Sequence, residues 1–402
     1  MAKPEIRLKG FEGEWNSDII GNLATFSKGR GYSKSDLRKQ GNPIILYGRL
    51  YTNYSSIIDY VDTFASLHKG SVLSKGNEVI IPGSGETPED IAIASSVEQE
   101  GVILGGDLNI LSFDFEKVVP AFAAIGITYS KTHYELSDYA QGKTVVHLHN
   151  SSISKGHLSY PSREEQEAIV IYMSTIDSLI LSSTKKIESL KQMKQACLVS
   201  MFPQAGETTP RIRFKGFEGE WEKKLLGELY EPSSIKNKIY GADKIISVAN
   251  MYFKPVSYIS DDEYLKSYNV MSLGDIAFEG NKSKNFAHGR FVENTIGDGI
   301  VSHVFVVLKP ISKKYDLQFW KYYINYERIM GPILQRCTKH STMMTDIVVA
   351  DFLKESILVP SYEEQKKIGT FFEILDKQIS LQEKRLEKLK QIKAACLDKM
   401  FV

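Results

Sequence analysis

From Ile169 onward, seam positions follow alternating steps of four and three: Ile169, Met173, Ile176, Ile180, Ser183, Ile187, Leu190, Lys194, Cys197 and Met201. Such spacing is the seam of a coiled-coil helix. The register returns 199 residues later at Ile368, Phe372, Leu375, Ile379, Gln382, Leu386, Leu389, Lys393, Cys396 and Met400. Even the polar interruptions coincide, Ser183 with Gln382 and Lys194 with Lys393. Polar seam residues lower stability but restrict alternative registers. Each helix is predicted to start just after a proline, with Ser162 or Ser361 as N-cap and Glu164–Glu165 or Glu363–Glu364 at the positive helix end. A helix from Arg163 to Phe202 would be roughly 60 Å long at 1.5 Å per residue. Two such helices in one chain have a natural partner in each other.

Elsewhere the pattern shortens to strand-like runs. Pro43–Tyr51, Gly76–Pro82 and Gly105–Phe113 read as strands, as do Lys244–Tyr252, Gly274–Glu279 and Gly299–Leu308. Helices are expected at Asp316–Gln335 and near Phe115–Ile125. Both regions are therefore mixed α/β.

The repetition extends beyond the helices. Pro4–Trp15 (PEIRLKGFEGEW) returns at Pro210–Trp221 (PRIRFKGFEGEW) with ten of twelve residues identical, displaced by 206. The helix starts PSREEQ and PSYEEQ also match, whereas the bodies between the matching parts barely do. This predicts an entry segment at 1–15, a first body at 16–160, a central helix at 161–202, a polar linker and second entry segment at 203–221, a second body at 222–359 and a final helix at 360–402. The expected fold is α+β: two globular mixed α/β domains joined by two long helices that form an antiparallel coiled coil, a pseudo-twofold internal repeat.

Charge narrows the choice of partner. A net charge of +1 does not suit a chain that coats nucleic acid indiscriminately. Local basic patches remain. Lys28, Arg30, Lys34, Arg38 and Lys39 crowd one stretch with interleaved Gly29, Gly31, Tyr32 and Ser33, a composition suited to phosphate contacts. Lys282, Lys284 and Arg290 make a comparable loop in the second body. A further run, Arg336 to Thr342, contains Arg336 and Lys339, and its counterpart near Gln141–Thr144 contains Lys143. Gln141, Arg49 and Asn250 are candidate readers of base edges, since amide and guanidinium groups make paired hydrogen bonds there.

Other chemistry is sparse. No G-x-x-x-x-G-K-[ST] phosphate loop occurs, and Gly83-Ser84-Gly85 lacks the βαβ setting of a dinucleotide site, so it reads as a turn. Asn42-Pro43 is followed by Ile44-Ile45, not by the Pro-aromatic pair of an amino-methyltransferase tetrad. His147 and His149 share a face if extended, without a third ligand nearby, so no metal site is expected. Asp261, Asp262 and Glu263 form only a loose acidic cluster. The three cysteines show no C-x-x-C spacing and read as packing residues. No apolar run approaches a membrane span and no signal-peptide core is seen, so a cytoplasmic protein without catalytic residues is expected.

Taken together, the KGFEGEW segments, the two P-S-x-E-E-Q starts, the two LKQ(M/I)K-x-AC-L endings and the dissimilar bodies resemble the specificity subunit of a type I restriction-modification system. The resemblance covers the whole chain. It implies that each body is a target recognition domain for one half of a split sequence in double-stranded DNA, with the helix pair setting the gap. It also implies two methyltransferase subunits as partners, acting on adenine N6, and two restriction subunits that can join them. No cofactor is then expected in this chain; S-adenosylmethionine, ATP and Mg belong to the partner subunits. The competing reading is a duplicated, non-catalytic protein-interaction scaffold without DNA readout.

Overall fold

The computed structural model of the chain describes residues 3–255, 262–340 and 345–402. Asp261, Ser341 and Thr342, which belong to two of the runs singled out above, lie outside the described residues, as do the side chains of Asp262 and His340. The chain divides into two compact units, residues 1–184 with 384–402, and residues 185–383. Both divisions fall inside long helices, Arg163–Met201 and Tyr362–Lys399. Each helix therefore begins in one unit and ends in the other.

These helices start as their sequence predicts. The hydroxyls of Ser162 and Ser361 accept the backbone N–H groups of Glu165 and Glu364 at 3.4 and 3.3 Å. The seam is buried: Ile169, Met173, Ile176, Ile187 and Leu190 on the first helix, and Ile368, Phe372, Leu375 and Ile379 on the second, are all under a tenth exposed. Within each unit the paired segments run antiparallel. In the first unit Lys393 Nζ donates to Asp177 Oδ1 at 2.5 Å, and in the second Lys194 Nζ donates to Asp376 Oδ1 at 2.6 Å. The lysines that interrupt the seam in the sequence are thus the cationic ends of one ion pair made twice, with the roles of the helices exchanged.

The repeated entry segments dock onto the helix starts. Arg7 grips the buried Glu165 carboxylate through Nε at 2.8 Å and Nη2 at 2.6 Å, while Arg213 grips Glu364 at 2.6 and 2.7 Å. Such forked pairing fixes direction as well as distance. Behind it Gln166 accepts from Val119 N–H and Gln365 accepts from Trp320 Nε1–H, tying each helix to its body. Trp15 packs edge-on against Phe122 and Phe401, and Trp221 against Phe319 and Tyr323. Phe401, at the end of the second helix, thereby completes the core of the first unit, and Phe202, at the end of the first helix, lies in the core of the second.

The bodies share a central sheet. In the first, its order is Ala24–Lys28, Leu108–Phe113, Glu78–Pro82, Ser95–Val97 and Ile57–Ile58. In the second it is Tyr230–Ser233, Val307–Pro310, Ile276–Glu279 and Arg290–Glu293. The third strand is apolar on both faces, Val79, Ile80 and Ile81 being fully buried, because the sheet is covered on each side. Each body is closed at its base by an equivalent pair, Asn16–Ile19 with His157–Tyr160 and Glu222–Leu225 with Ser356–Val359. The first body carries a second five-stranded sheet built on Asn42–Ile45 and Glu100–Leu104.

Several predicted elements are divided. The run Pro43–Tyr51 ends as a strand at Ile45, and Arg49–Thr52 is a helical turn, because Arg49 to Asn53 take up local backbone bonds to Leu46 through Arg49. Lys244–Tyr252 holds only the short strands Ile246–Ser247 and Tyr252–Phe253. Gly299–Leu308 splits into Gly299–Val301 and Val307–Pro310, which pair in different sheets. The helical stretch after Asp316 breaks into Leu317–Tyr323 and Glu327–Cys337, and the earlier helix runs Pro120–Tyr129. Ser84–Gly85 forms a short strand against Val146–His147, where a turn was expected.

Candidate nucleic-acid interface

Polar loops gather at one end of each central sheet. In the first body this is the end bearing Lys28, Pro82 and Leu108. Backbone bonds bind the loops to one another: Gly29 N–H to Leu108 O at 2.9 Å, Gly106 N–H to Gly31 O at 2.6 Å, Gly83 N–H to Asp107 O at 2.7 Å and Leu148 N–H to Gly83 O at 3.1 Å. The approach is close enough that a Cβ on Gly29 would fall 1.8 Å from the Gly105 carbonyl oxygen. Asn150 Nδ2 donates to Ser27 O at 3.0 Å, fastening the 141–150 segment beside Lys28.

The basic stretch is held open to solvent. Tyr32, in the left-handed region at φ 62°, stacks on His68 at 5.1 Å and donates its hydroxyl to Ser66 O at 3.1 Å. Ser33 N–H donates to Asp36 at 2.7 Å, and this bond with that of the Ser33 hydroxyl holds the Asp36 carboxyl below its ordinary range. Lys28, Arg30, Lys34, Arg38 and Lys39 are exposed, and the stack adds exposed His68 and Lys69, which the spacing of the basic run did not indicate. Arg38 donates to the carbonyl of Ser35 at 3.2 Å. Exposed Gln141 and Lys143 lie in a hairpin closed by Gln141 N–H to His147 O and His147 N–H to Gln141 O.

The second body repeats the scaffold with other side chains. Thr345 N–H donates to Gly280 O at 2.9 Å, as Leu148 does to Gly83, and a Cβ on Gly280 would come within 2.1 Å of Thr345 O. Lys282 and Lys284 are exposed on the loop that follows, and Asn250 is exposed beside Met251. Lys339 lies opposite Asp346 on the hairpin Thr338–His340 with Thr345–Ile347, both exposed. His303, exposed ahead of Val307–Pro310, also reaches this end without having been foreseen.

Three sequence-predicted arginines are occupied. Arg49 donates to Asp62 Oδ1 at 2.6 Å, holding that carboxyl below its ordinary range. Arg290 donates to the nearly buried Glu279 at 2.7 Å and to Ala249 O at 2.7 Å, so it braces the loop that carries Asn250. Arg336 forks onto Glu355 at 2.8 and 2.6 Å. Their guanidiniums are committed within the fold; among the described residues Lys28, Arg30, Lys34, Lys39, Lys143, Lys282, Lys284 and Lys339 have no such ion pair. Among the described residues no cluster of three metal-binding side chains occurs, and no helix is long and apolar enough to cross a membrane.

Two loop surfaces of exposed cations, amides and imidazoles on a repeated scaffold can contact phosphates and base edges. Comparisons with known proteins bear on the family and the fold. The family model described as "Type I restriction modification DNA specificity domain" matches residues 12–192 and 218–391. A curated relative, the type I restriction enzyme MjaVIII specificity subunit of Methanocaldococcus jannaschii, is 22% identical over an alignment of 284 residues that covers 64% of each chain. The chain thus spans 64% of the length of that relative. The fold is similar to the S subunit of a type I restriction-modification system from M. genitalium, with TM-score 0.60, 14% identity and coverage of 100% and 99% of the two chains. It is also similar to the HsdS subunit from Thermoanaerobacter tengcongensis, with TM-score 0.50, 16% identity and 97% of each chain covered.

Proposed function

We propose a function from one premise: the chain belongs to the family of type I restriction-modification DNA specificity domains. On this reading it recognises a bipartite sequence in double-stranded DNA, one half through each body, and the helix pair sets the gap between them. It carries no catalysis of its own. It directs two partner methyltransferase subunits to adenine N6, with S-adenosylmethionine in those subunits, and restriction subunits with ATP and Mg can join them in the cytoplasm.

The observation that carries this reading is the pairing of one scaffold with two chemistries. Both bodies bring loops to the same sheet end through equivalent bonds at Gly83 and Gly280, yet the exposed residues there differ. A chain that reads two unlike half-sequences needs that combination. Two sites on one face of B-DNA lie about 34 Å apart per helical turn, and long paired helices are a spacer of that scale.

The chain purified with its methyltransferase partner should retain a two-part sequence from randomised duplexes. Replacing residues 16–160 by another body should change one half only, and deleting seven residues from both helices should shorten the gap or abolish binding with each half preference intact. Retention of no sequence at all would sink the proposal and favour the interaction scaffold.

A further inference from the structure

The hairpin at residues 141–150 of the first body has two faces. Val146 and Leu148 are buried, at 3% and 0% exposure, and anchor it to the sheet end. His147 and His149 alternate with them and are exposed. Their rings lie parallel within 2° with centroids 6.1 Å apart. Gln141 is directly opposite His147 and bonded to it through both backbone groups, so the two side chains leave the same face. On the other flank His147 pairs with Ser84, whose hydroxyl is spent on the Asp107 carboxylate. Among the described residues, no hydrogen bond engages the imidazoles of His147 and His149 or the Gln141 amide. Lys143 stands in the loop between Gln141 and His147.

Side chains that project from the exposed face of such strands can reach base edges in the major groove of B-DNA. Alternate strand residues advance about 6.8 Å, and two base steps advance about the same distance at 3.4 Å each. Resting on the DNA-specificity reading above, we infer that Gln141, His147 and His149 form the base-reading row of the first body, facing purine edges in the major groove, with Lys143 on a flanking phosphate. An imidazole N–H donates to guanine O6 or N7, and the glutamine amide pairs with adenine N6 and N7. The equivalent of His149 in the second body is Asp346, an acceptor, which suits a base that donates.

The test is selection from randomised duplexes by the full chain with its methyltransferase partner, comparing wild type with His147→Ala/His149→Ala. The expected result is loss of discrimination, about tenfold to a hundredfold, at one or two positions of a single half, with the other half and the gap unchanged. The variant His147→Gln/His149→Gln should shift the preferred base at the same positions and guards against misfolding of the alanine variant. Discrimination unchanged in both halves, uniform weakening without any change of preferred base, or complete loss of retention in both variants would each overturn the inference. If wild type itself selects nothing, the DNA-specificity reading fails and not this assignment alone.

Discussion

Arg7 on Glu165 and Arg213 on Glu364 are one contact made twice, whereas His149 after Leu148 and Asp346 after Thr345 are two chemistries on one scaffold. The first kind is buried and joins residues far apart in sequence. The second is exposed and leaves the backbone beneath it unchanged. Physical constraint therefore explains the sameness of the frame: a forked guanidinium on a buried carboxylate tolerates no substitute, since Lys offers a point charge and any neutral residue strands the acid. Exposed loop residues are released from that constraint, and they are where difference can accumulate.

The comparison can be broken most forcefully at the clamp. Arg7→Ala or Arg213→Ala leaves Glu165 or Glu364 buried without its partner, and each should cost about 3–5 kcal/mol in chemical denaturation. The two losses should match, and a large inequality would show that the repeated contact is not energetically equivalent.

A second test concerns Asp275, which precedes Ile276 as Glu78 precedes Val79 in the first body. Burial pushes the Asp275 carboxyl up to about 6, although a hydrogen bond from Ser272 N–H opposes the shift. Because its folded value is raised above the ordinary 3.8, its contribution to stability is present at low pH and is lost as pH rises through about 6. Asp275→Asn removes the titrating carboxyl, so wild type should lose melting temperature relative to this variant between pH 4 and pH 7. A constant difference across that range would refute the assignment.

Smaller effects are expected at the seam. Lys194→Asp sets two carboxylates together beside Tyr322 and should cost about 1–2 kcal/mol, with partial recovery in Lys194→Asp/Asp376→Lys. The equivalent Lys393→Asp should cost less, because its partner Asp177 is 48% exposed against 31% for Asp376. Equal costs would mean that burial does not set the difference. Least of all, Lys28→Ala and Arg30→Ala should leave stability within about 0.5 kcal/mol. In the DNA-binding assay each phosphate contact so removed should flatten the salt dependence by about 0.9 in slope.

Much of the architecture is legible in the chain. The seam, both serine caps and the doubled frame follow from spacing and identity, because helix periodicity and capping are local and need no knowledge of distant residues. Strands were harder to bound. Gly299–Leu308 alternates convincingly as one strand, yet its halves pair with Asn269–Met271 and with Tyr230–Ser233, and alternation cannot say which neighbour an apolar residue meets. Arg49, a candidate base reader, and Arg290 and Arg336 of the basic runs are occupied for the same reason: the carboxylates that hold them are supplied by other elements of the fold.

Residue identity and spacing establish two copies of a frame, where each long helix begins, and which residues differ between the copies. Folding adds that each helix ends in the unit it did not start from, that the seam lysines meet Asp177 and Asp376, and that Gly83 and Gly280 bring unlike side chains to equivalent places. The reason lies in range: propensity and periodicity act over a few residues, whereas a charge is paired or free according to what the fold brings from far along the chain.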